Sequence, residues 1–267
     1  MDKVGNLKIE ESGLDDDGDP FVRLVNGLTF FGHVSETYNG AYRFLPQSTK
    51  DVLSPQCVQV ACDIVIRYME KGLKYGGPRK QYKYSPKLGD CVSEMGAYEG
   101  FCSMALAESV GASGRVIAIE PMKNNFRLLE KNRAVNNLTN ITCVNRAVWD
   151  SEKLVTFSRR IADYQSSSIE LNYSSGETYE VKAETLSSIF GRCELEILDF
   201  AIIQLNGAEI NALRGLGSFL PRNMSIAARY DTEGTDAALA IVNFLVEKGY
   251  ESEVVDDDFV FAHLVSD

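Results

Sequence analysis

Through the C-terminal two-thirds of the chain, short apolar runs alternate with longer segments whose apolar residues recur every three or four positions. Short runs bounded by turn formers predict buried strands, and the periodic segments predict helices packed on them. By that pattern 91–94 is a strand, 100–110 a helix, 115–120 a second strand, 123–136 a helix and 141–145 a third strand. Parallel strands need crossover connections, so this order predicts a doubly wound α/β domain with a mostly parallel sheet. Segments 153–157 and 179–182 read as strands bracketing a Ser-rich loop at 165–168. The most apolar run, 200–205, predicts a central strand, followed by a helix over 208–214 that Gly215 ends and a strand over 225–228. Ala238, Ile241, Val242, Leu245 and Val246 form an apolar stripe on a helix over 236–248. Strands at 251–255 and 259–263, joined by three aspartates, predict an antiparallel C-terminal hairpin.

The N-terminal third has a different pattern. Residues 1–20 are polar and end in an aspartate run that lacks the Gly and Glu offsets of a calcium loop, so they read as a solvated, partly disordered leader. Apolar runs at 21–25 and 28–31 flank Asn26-Gly27, a strong hairpin signal because both turn positions need positive φ. A helix is predicted over 54–72, and Tyr75-Gly76-Gly77-Pro78 breaks it. These features divide the chain into an N-terminal α/β extension, 1–85, placed as a cap over substrate, and a catalytic-type domain, 86–267.

Composition narrows the function classes. A net charge of −11 disfavours a nucleic-acid or anionic-membrane binder, which needs a positive surface. No apolar stretch is long enough to span a membrane and none follows Met1, which predicts a cytoplasmic protein without stable membrane insertion. The six cysteines form no Cys-x-x-Cys pair and the two histidines, His33 and His263, stand apart, so no metal site is predicted.

The chemistry concentrates in the first βαβ unit. A glycine turn after a first strand lets backbone approach a ligand, and an acid ending the second strand can accept hydrogen bonds from a ribose diol. Here the turn is Gly96 to Gly100 and the acid is Glu120, 24 residues beyond Gly96. The turn lacks G-x-G-x-x-G, which disfavours NAD and its pyrophosphate. Glu94, at the strand end, would repel a pyrophosphate but suits the ammonium and sulfonium of S-adenosylmethionine.

The motifs Gly89-Asp90, Glu94-Met95-Gly96-Ala97-Tyr98-Glu99-Gly100, Arg115 to Pro121, Asn125-Phe126, Asn132, Asn145-Arg146-Ala147-Val148 and Asp199 to Glu209 together resemble FkbM-type methyltransferases of class I. The resemblance spans roughly 86–230 and implies a Rossmann-like fold with S-adenosylmethionine as cofactor. It implies that Gly96 and Ala97 lie under the methionine moiety and that Glu120 binds the ribose diol; Glu94, Gly100 and Pro121 complete the expected cofactor site, and Tyr98 either covers the methionine end or packs structurally. Asn145, Arg146 and Ala147 would flank the adenine, Gln204 would face the cofactor, and Asn206 and Glu209 would line the acceptor pocket. The implied activity is O-methylation of a hydroxyl on a sugar, glycolipid or secondary metabolite, so the partner is a small-molecule or glycan acceptor; a homo-oligomer is compatible with it.

Four positions depart from the family pattern. Glu94 stands where Asp is usual and Tyr98 where Asn is usual, and Gln204 and Asn206 replace two carboxylates of an Asp-Val-Glu-Gly-Ala-Glu run. An amide hydrogen-bonds but is no base at neutral pH. No catalytic base is named, and a non-catalytic binder of S-adenosylmethionine or S-adenosylhomocysteine is the alternative reading.

Overall fold

A computed structural model describes residues 8–33, 83–159, 177–228, 236–255 and 259–265. The helix expected at 54–72 and the Ser-rich loop at 165–168 lie outside the described residues.

Strands β4 (Cys91–Met95), β5 (Arg115–Ile119), β6 (Ile141–Val144), β10 (Phe200–Ile203), β11 (Asn223–Ala227), β12 (Tyr250–Val255) and β13 (Phe259–Leu264) form one seven-stranded sheet. Its order is β12-β13-β11-β10-β4-β5-β6, which puts the most apolar strand at the centre, as its pattern predicts. The pairs β4–β5, β5–β6, β4–β10 and β10–β11 are parallel, whereas β13 runs antiparallel to both β11 and β12. The fold is therefore the Rossmann-like α/β arrangement with an antiparallel C-terminal hairpin.

Alternation along the strands feeds two cores. Val116 and Ala118 of β5 face one cluster, with Phe101 and Leu106 of helix α1 (Phe101–Val110) and Leu129 of α2 (Lys123–Val135). Ile117 and Ile119 face the other, with Leu186 and Phe190 of α3 (Leu186–Arg192), Leu213 of α4 (Glu209–Arg214) and Ile241 and Leu245 of α5 (Ala237–Glu247). Burying both faces is what makes these strands nearly continuous apolar runs. Val246, expected on the buried stripe of α5, is instead 60% exposed, while Ala238, Ile241, Val242, Phe244 and Leu245 make the contact with the core.

Strands at 153–157 and 179–182 extend to β8 (Lys153–Arg159) and β9 (Glu177–Glu184), which join β7 (Ala147–Val148) in a separate three-stranded sheet. A third sheet corrects the reading of the N-terminus. The expected hairpin forms as β2 (Pro20–Leu24) and β3 (Thr29–Phe31), but β1 (Ile9–Leu14) adds a third strand where a solvated, partly disordered leader was expected. Its residues are largely exposed, so backbone pairing rather than apolar burial holds it.

This small sheet is fastened to α2. Arg127 makes two 2.6 Å hydrogen bonds to the Asp19 carboxylate, and the Lys131 ammonium meets Asp15, Asp17 and Asp19 together. The aspartate run thus converges on a protein cation. Burial alone would raise the Asp19 pKa, and Arg127 and Lys131 more than reverse it. Further along α2, Asn132 and Asn136 imitate a strand edge. Asn132 Oδ1 accepts from Phe31 N at 2.7 Å while its Nδ2 donates to Phe31 O, and Asn136 does the same for Thr29. Phe30 completes the seam by packing edge-on against Phe101.

Candidate functional site

The chain runs outward from β4 to β6 and then returns to β10 on the other side of β4. A crevice therefore opens beyond the carboxyl ends of β4 and β10, the usual ligand position in such sheets. The turn after β4 is pressed against β10. Gly96 has φ +83°, and a Cβ there would sit 2.2 Å from Gln204 O. Only glycine fits both the angle and the approach. Gly100, at φ +85°, serves packing, since a Cβ would meet Leu129 Cδ1 at 2.4 Å.

Glu120 is 4% exposed and nearly fills its acceptor capacity with protein donors. Oε1 accepts from Met122 N at 2.9 Å and Asn125 Nδ2 at 3.1 Å, and Oε2 accepts from Tyr98 N at 2.9 Å. A carboxylate has about four lone-pair positions, so one remains on Oε2. Burial pushes the Glu120 pKa up to about 7 despite these donors.

Glu94 is 7% exposed and turned toward the first turn of α1, whose N-cap Gly100 has no capping side chain. Ser103 Oγ donates to Glu94 Oε2, and the Ser103 backbone and Cys102 also hydrogen-bond the carboxylate. Burial raises its pKa to about 7, and the charge of Glu120 adds to the rise. Two acids that cost free energy to ionise stand at adjacent strand ends. That donor set fits a cationic, ribose-bearing ligand, which would lower the cost of both charges.

Tyr98, whose N–H is held by Glu120, sits at φ +56°, a left-handed backbone that bulky residues avoid. Ala97 is buried beneath this turn. On the far side, Asn145 Nδ2 bonds both Glu120 O and Pro121 O, joining the turns after β5 and β6. Arg146 is directed to Glu184 of β9, which Arg192 also pairs, and Ala147 is buried as part of β7. Burial would raise the Glu184 pKa, but the two guanidiniums hold it below the usual range.

In the turn after β10, Glu209 is 5% exposed and accepts from Leu205 N at 2.7 Å and Gly207 N at 2.8 Å. Burial still raises its pKa. Its carboxylate shapes the turn that carries Asn206, itself at φ +52°. Gln204 is partly buried, its backbone N bonded to Met95 O.

The structure thus brings Glu94, Gly96, Ala97, Tyr98, Glu120 and Pro121 together at the carboxyl ends of β4 and β5, with the Gln204 backbone packed against Gly96. Arg146 is tied to β9, and Glu209 is consumed by its own turn. Sequence reading gave no role to His33, Glu99 or Asn125. His33 N donates to Glu99 Oε1 at 2.8 Å, and His33 Nε2 lies 2.8 Å from Asn125 Oδ1. Sequence separations of 66 and 92 residues hide these pairs. The other histidine, His263, bonds Asn223 at the opposite end of the sheet. Burial pushes the Cys91 and Cys143 thiols up to about 11, which disfavours the nucleophilic thiolate form.

Among the described residues, no helix is long and apolar enough to cross a membrane. No curated protein matches the chain. Similar solved structures include an FkbM methyltransferase from Methylobacillus flagellatus KT, at 14% identity and TM-score 0.48, covering 79% of this chain and 56% of that one. This chain therefore spans a little over half the length of that protein. Aeropyrum pernix fibrillarin with bound S-adenosyl-L-methionine is similar at 15% identity and TM-score 0.46, covering 97% and 100% of the two chains. An S-adenosylmethionine-dependent O-methyltransferase from Thermotoga maritima is similar at 14% and 0.41, covering 92% and 78%. Residues 94–252 match the Methyltransferase FkbM domain, which takes in both turns of the crevice. The chain belongs to the FkbM family of S-adenosylmethionine-dependent methyltransferases.

Proposed function

We propose that the protein transfers the methyl group of S-adenosylmethionine to a hydroxyl of a sugar, glycolipid or secondary metabolite. The observation that carries this is the pair of buried acids, Glu94 and Glu120, at the ends of β4 and β5. When bound, the cofactor supplies an electrophilic methyl on a sulfonium leaving group. The protein's work is then mainly positioning, which can account for much of the rate in such a displacement.

In this reading Glu120 Oε2 takes a ribose hydroxyl on its remaining lone pair, and the Gly96–Ala97 backbone lies under the methionine end. Glu94 holds the N-terminus of α1 and contributes negative potential toward the ammonium and sulfonium. Gln204 and Asn206 hydrogen-bond cofactor or acceptor without taking its proton, so the acceptor proton leaves to another group or to water. Residues 1–85 contribute to acceptor binding. The two amides also support a second reading, a protein that binds the cofactor without turnover.

Calorimetric titration with S-adenosylmethionine, S-adenosylhomocysteine and NAD tests the cofactor assignment, and binding of NAD alone would overturn it. Transfer of tritiated methyl from S-adenosylmethionine into a metabolite extract separates enzyme from binder. Label appearing in an alkali-stable ether product supports the O-methyl assignment.

A further inference from the structure

We propose that His33, brought in by the N-terminal sheet, is a positioning residue for ribose recognition, acting on Glu120 through Asn125. The inference rests on the reading that Glu120 receives the ribose of the cofactor.

His33 lies two residues beyond the end of β3, the strand that Asn132 and Asn136 pin to α2. Its backbone N–H is held by Glu99, a residue of the cofactor turn, and its side chain is 8% exposed. The imidazole is therefore delivered to one place. There Nε2 meets Asn125 Oδ1, while Asn125 Nδ2 donates to Glu120 Oε1. Asn125 is 2% exposed, so its amide has little freedom to find other partners.

The direction of this chain follows from donor chemistry. Oδ1 of an amide only accepts, so His33 must present Nε2–H. An ionised Glu120 only accepts, so Asn125 must turn its NH2 toward it. A reversed amide would set oxygen against carboxylate, so Glu120 fixes the amide orientation, and that orientation in turn fixes the Nε2–H tautomer of His33. His33 Nε2–H then anchors Oδ1, holding in place the amide that saturates Oε1 and leaves the open lone pair on Oε2. His33 also touches the cofactor turn through the Tyr98 ring, 6.0 Å away between centroids. The N-terminal sheet is by this account part of the cofactor site.

The test compares binding of adenosine and 2′,3′-dideoxyadenosine, together with S-adenosylhomocysteine, by calorimetry. The wild-type chain should prefer the diol by about tenfold. His33→Ala should narrow that preference by roughly five-fold, as for coupled neighbours in one hydrogen-bond network. His33→Gln, whose Nε2 donates from a similar reach, should restore it. Asn125→Ala cuts the chain on α2 without touching the N-terminal sheet and should reproduce the narrowing even if His33→Ala fails to fold. Equal weakening of both nucleosides, or no change in either variant, would overturn the inference while leaving the cofactor reading intact. Failure of the wild-type chain to bind S-adenosylhomocysteine would overturn that reading, and the inference with it.

Discussion

The turns after β4 and β10 lie side by side, and each holds one non-glycine residue in left-handed backbone, Tyr98 at φ +56° and Asn206 at φ +52°. Each also contains a glycine at positive φ and depends on a buried carboxylate. They use these parts in different ways. The β10 turn is self-sufficient, with Asn at its left-handed position and Glu209 bonding the Leu205 and Gly207 N–H groups within the turn. The β4 turn borrows its support, since Tyr98 N is held by Glu120 at the end of β5 and Glu99 is engaged by His33. A turn tied to several neighbouring elements can respond to a ligand that touches one of them; a turn that satisfies itself mainly presents side chains.

Joining the two turns at their contact should have the largest effect. Gly96→Ala puts a Cβ 2.2 Å from Gln204 O at φ +83°. Left-handed strain and overpacking together should cost on the order of 3 kcal/mol or more, read by urea denaturation. Cofactor binding should be lost as well. Glu209→Ala separates the turns instead. It strands the amides that the carboxylate now satisfies and should cost about 2–3 kcal/mol, yet S-adenosylhomocysteine affinity by calorimetry should stay near wild type. A parallel loss of affinity would mean that the two turns are one unit.

Glu120→Ala comes next. Charge-assisted hydrogen bonds contribute about 1.5–3 kcal/mol each, so affinity for S-adenosylhomocysteine should fall roughly tenfold or more. Unchanged affinity would remove the ribose assignment.

These contrasts also mark what the sequence made legible. The parallel core could be read because its strands are buried on both faces and so appear as continuous apolar runs. Strand β1 could not, since Ile9–Leu14 is mostly polar and is held through its backbone. Helix α3 is seven residues long, too short to show a period, although Thr185 caps it at Ser188 N. Glu94 and Glu120 stood out by type and spacing. That Glu94 would face the first turn of α1, and that Glu209 would serve its own turn, depends on side-chain direction, which spacing does not encode. The His33–Asn125–Glu120 chain joins three separate elements, and only the folded arrangement reveals it.

A smaller effect is a dependence on pH. Burial raises the pKa of Glu94 and Glu120 from 4.5 to about 7, so between those values the folded protein keeps protons that the unfolded chain has released. Their contribution to stability is therefore full below pH 4.5 and is lost as pH rises to about 7. The slope is at most about 1.4 kcal/mol per pH unit for each carboxylate. Denaturation between pH 5 and pH 8 (about the range of the two titrations) should show the decline, and Glu94→Gln should flatten it. Affinity for the cationic S-adenosylmethionine should rise over the same interval, because the ionised acids attract it. An affinity independent of pH would place the sulfonium away from these acids.

The finest distinction concerns the left-handed residues themselves. Left-handed backbone costs an ordinary residue about 1–2 kcal/mol, and glycine and asparagine much less. Tyr98→Gly should therefore be more stable than Tyr98→Ala by about 1 kcal/mol, the reverse of the usual order in regular structure. At Asn206 the same pair should differ by a similar amount, but with wild-type Asn206 close to the glycine variant. Comparing the two sites by thermal denaturation isolates what Tyr98 adds. If wild-type Tyr98 matches its alanine variant, the tyrosine ring contributes little, and the turn bears its strain through the Glu120 bond alone. If wild type is as stable as the glycine variant, contact with His33 offsets the strain. That result would tie the backbone of the cofactor turn to the N-terminal sheet by a second route, independent of Asn125.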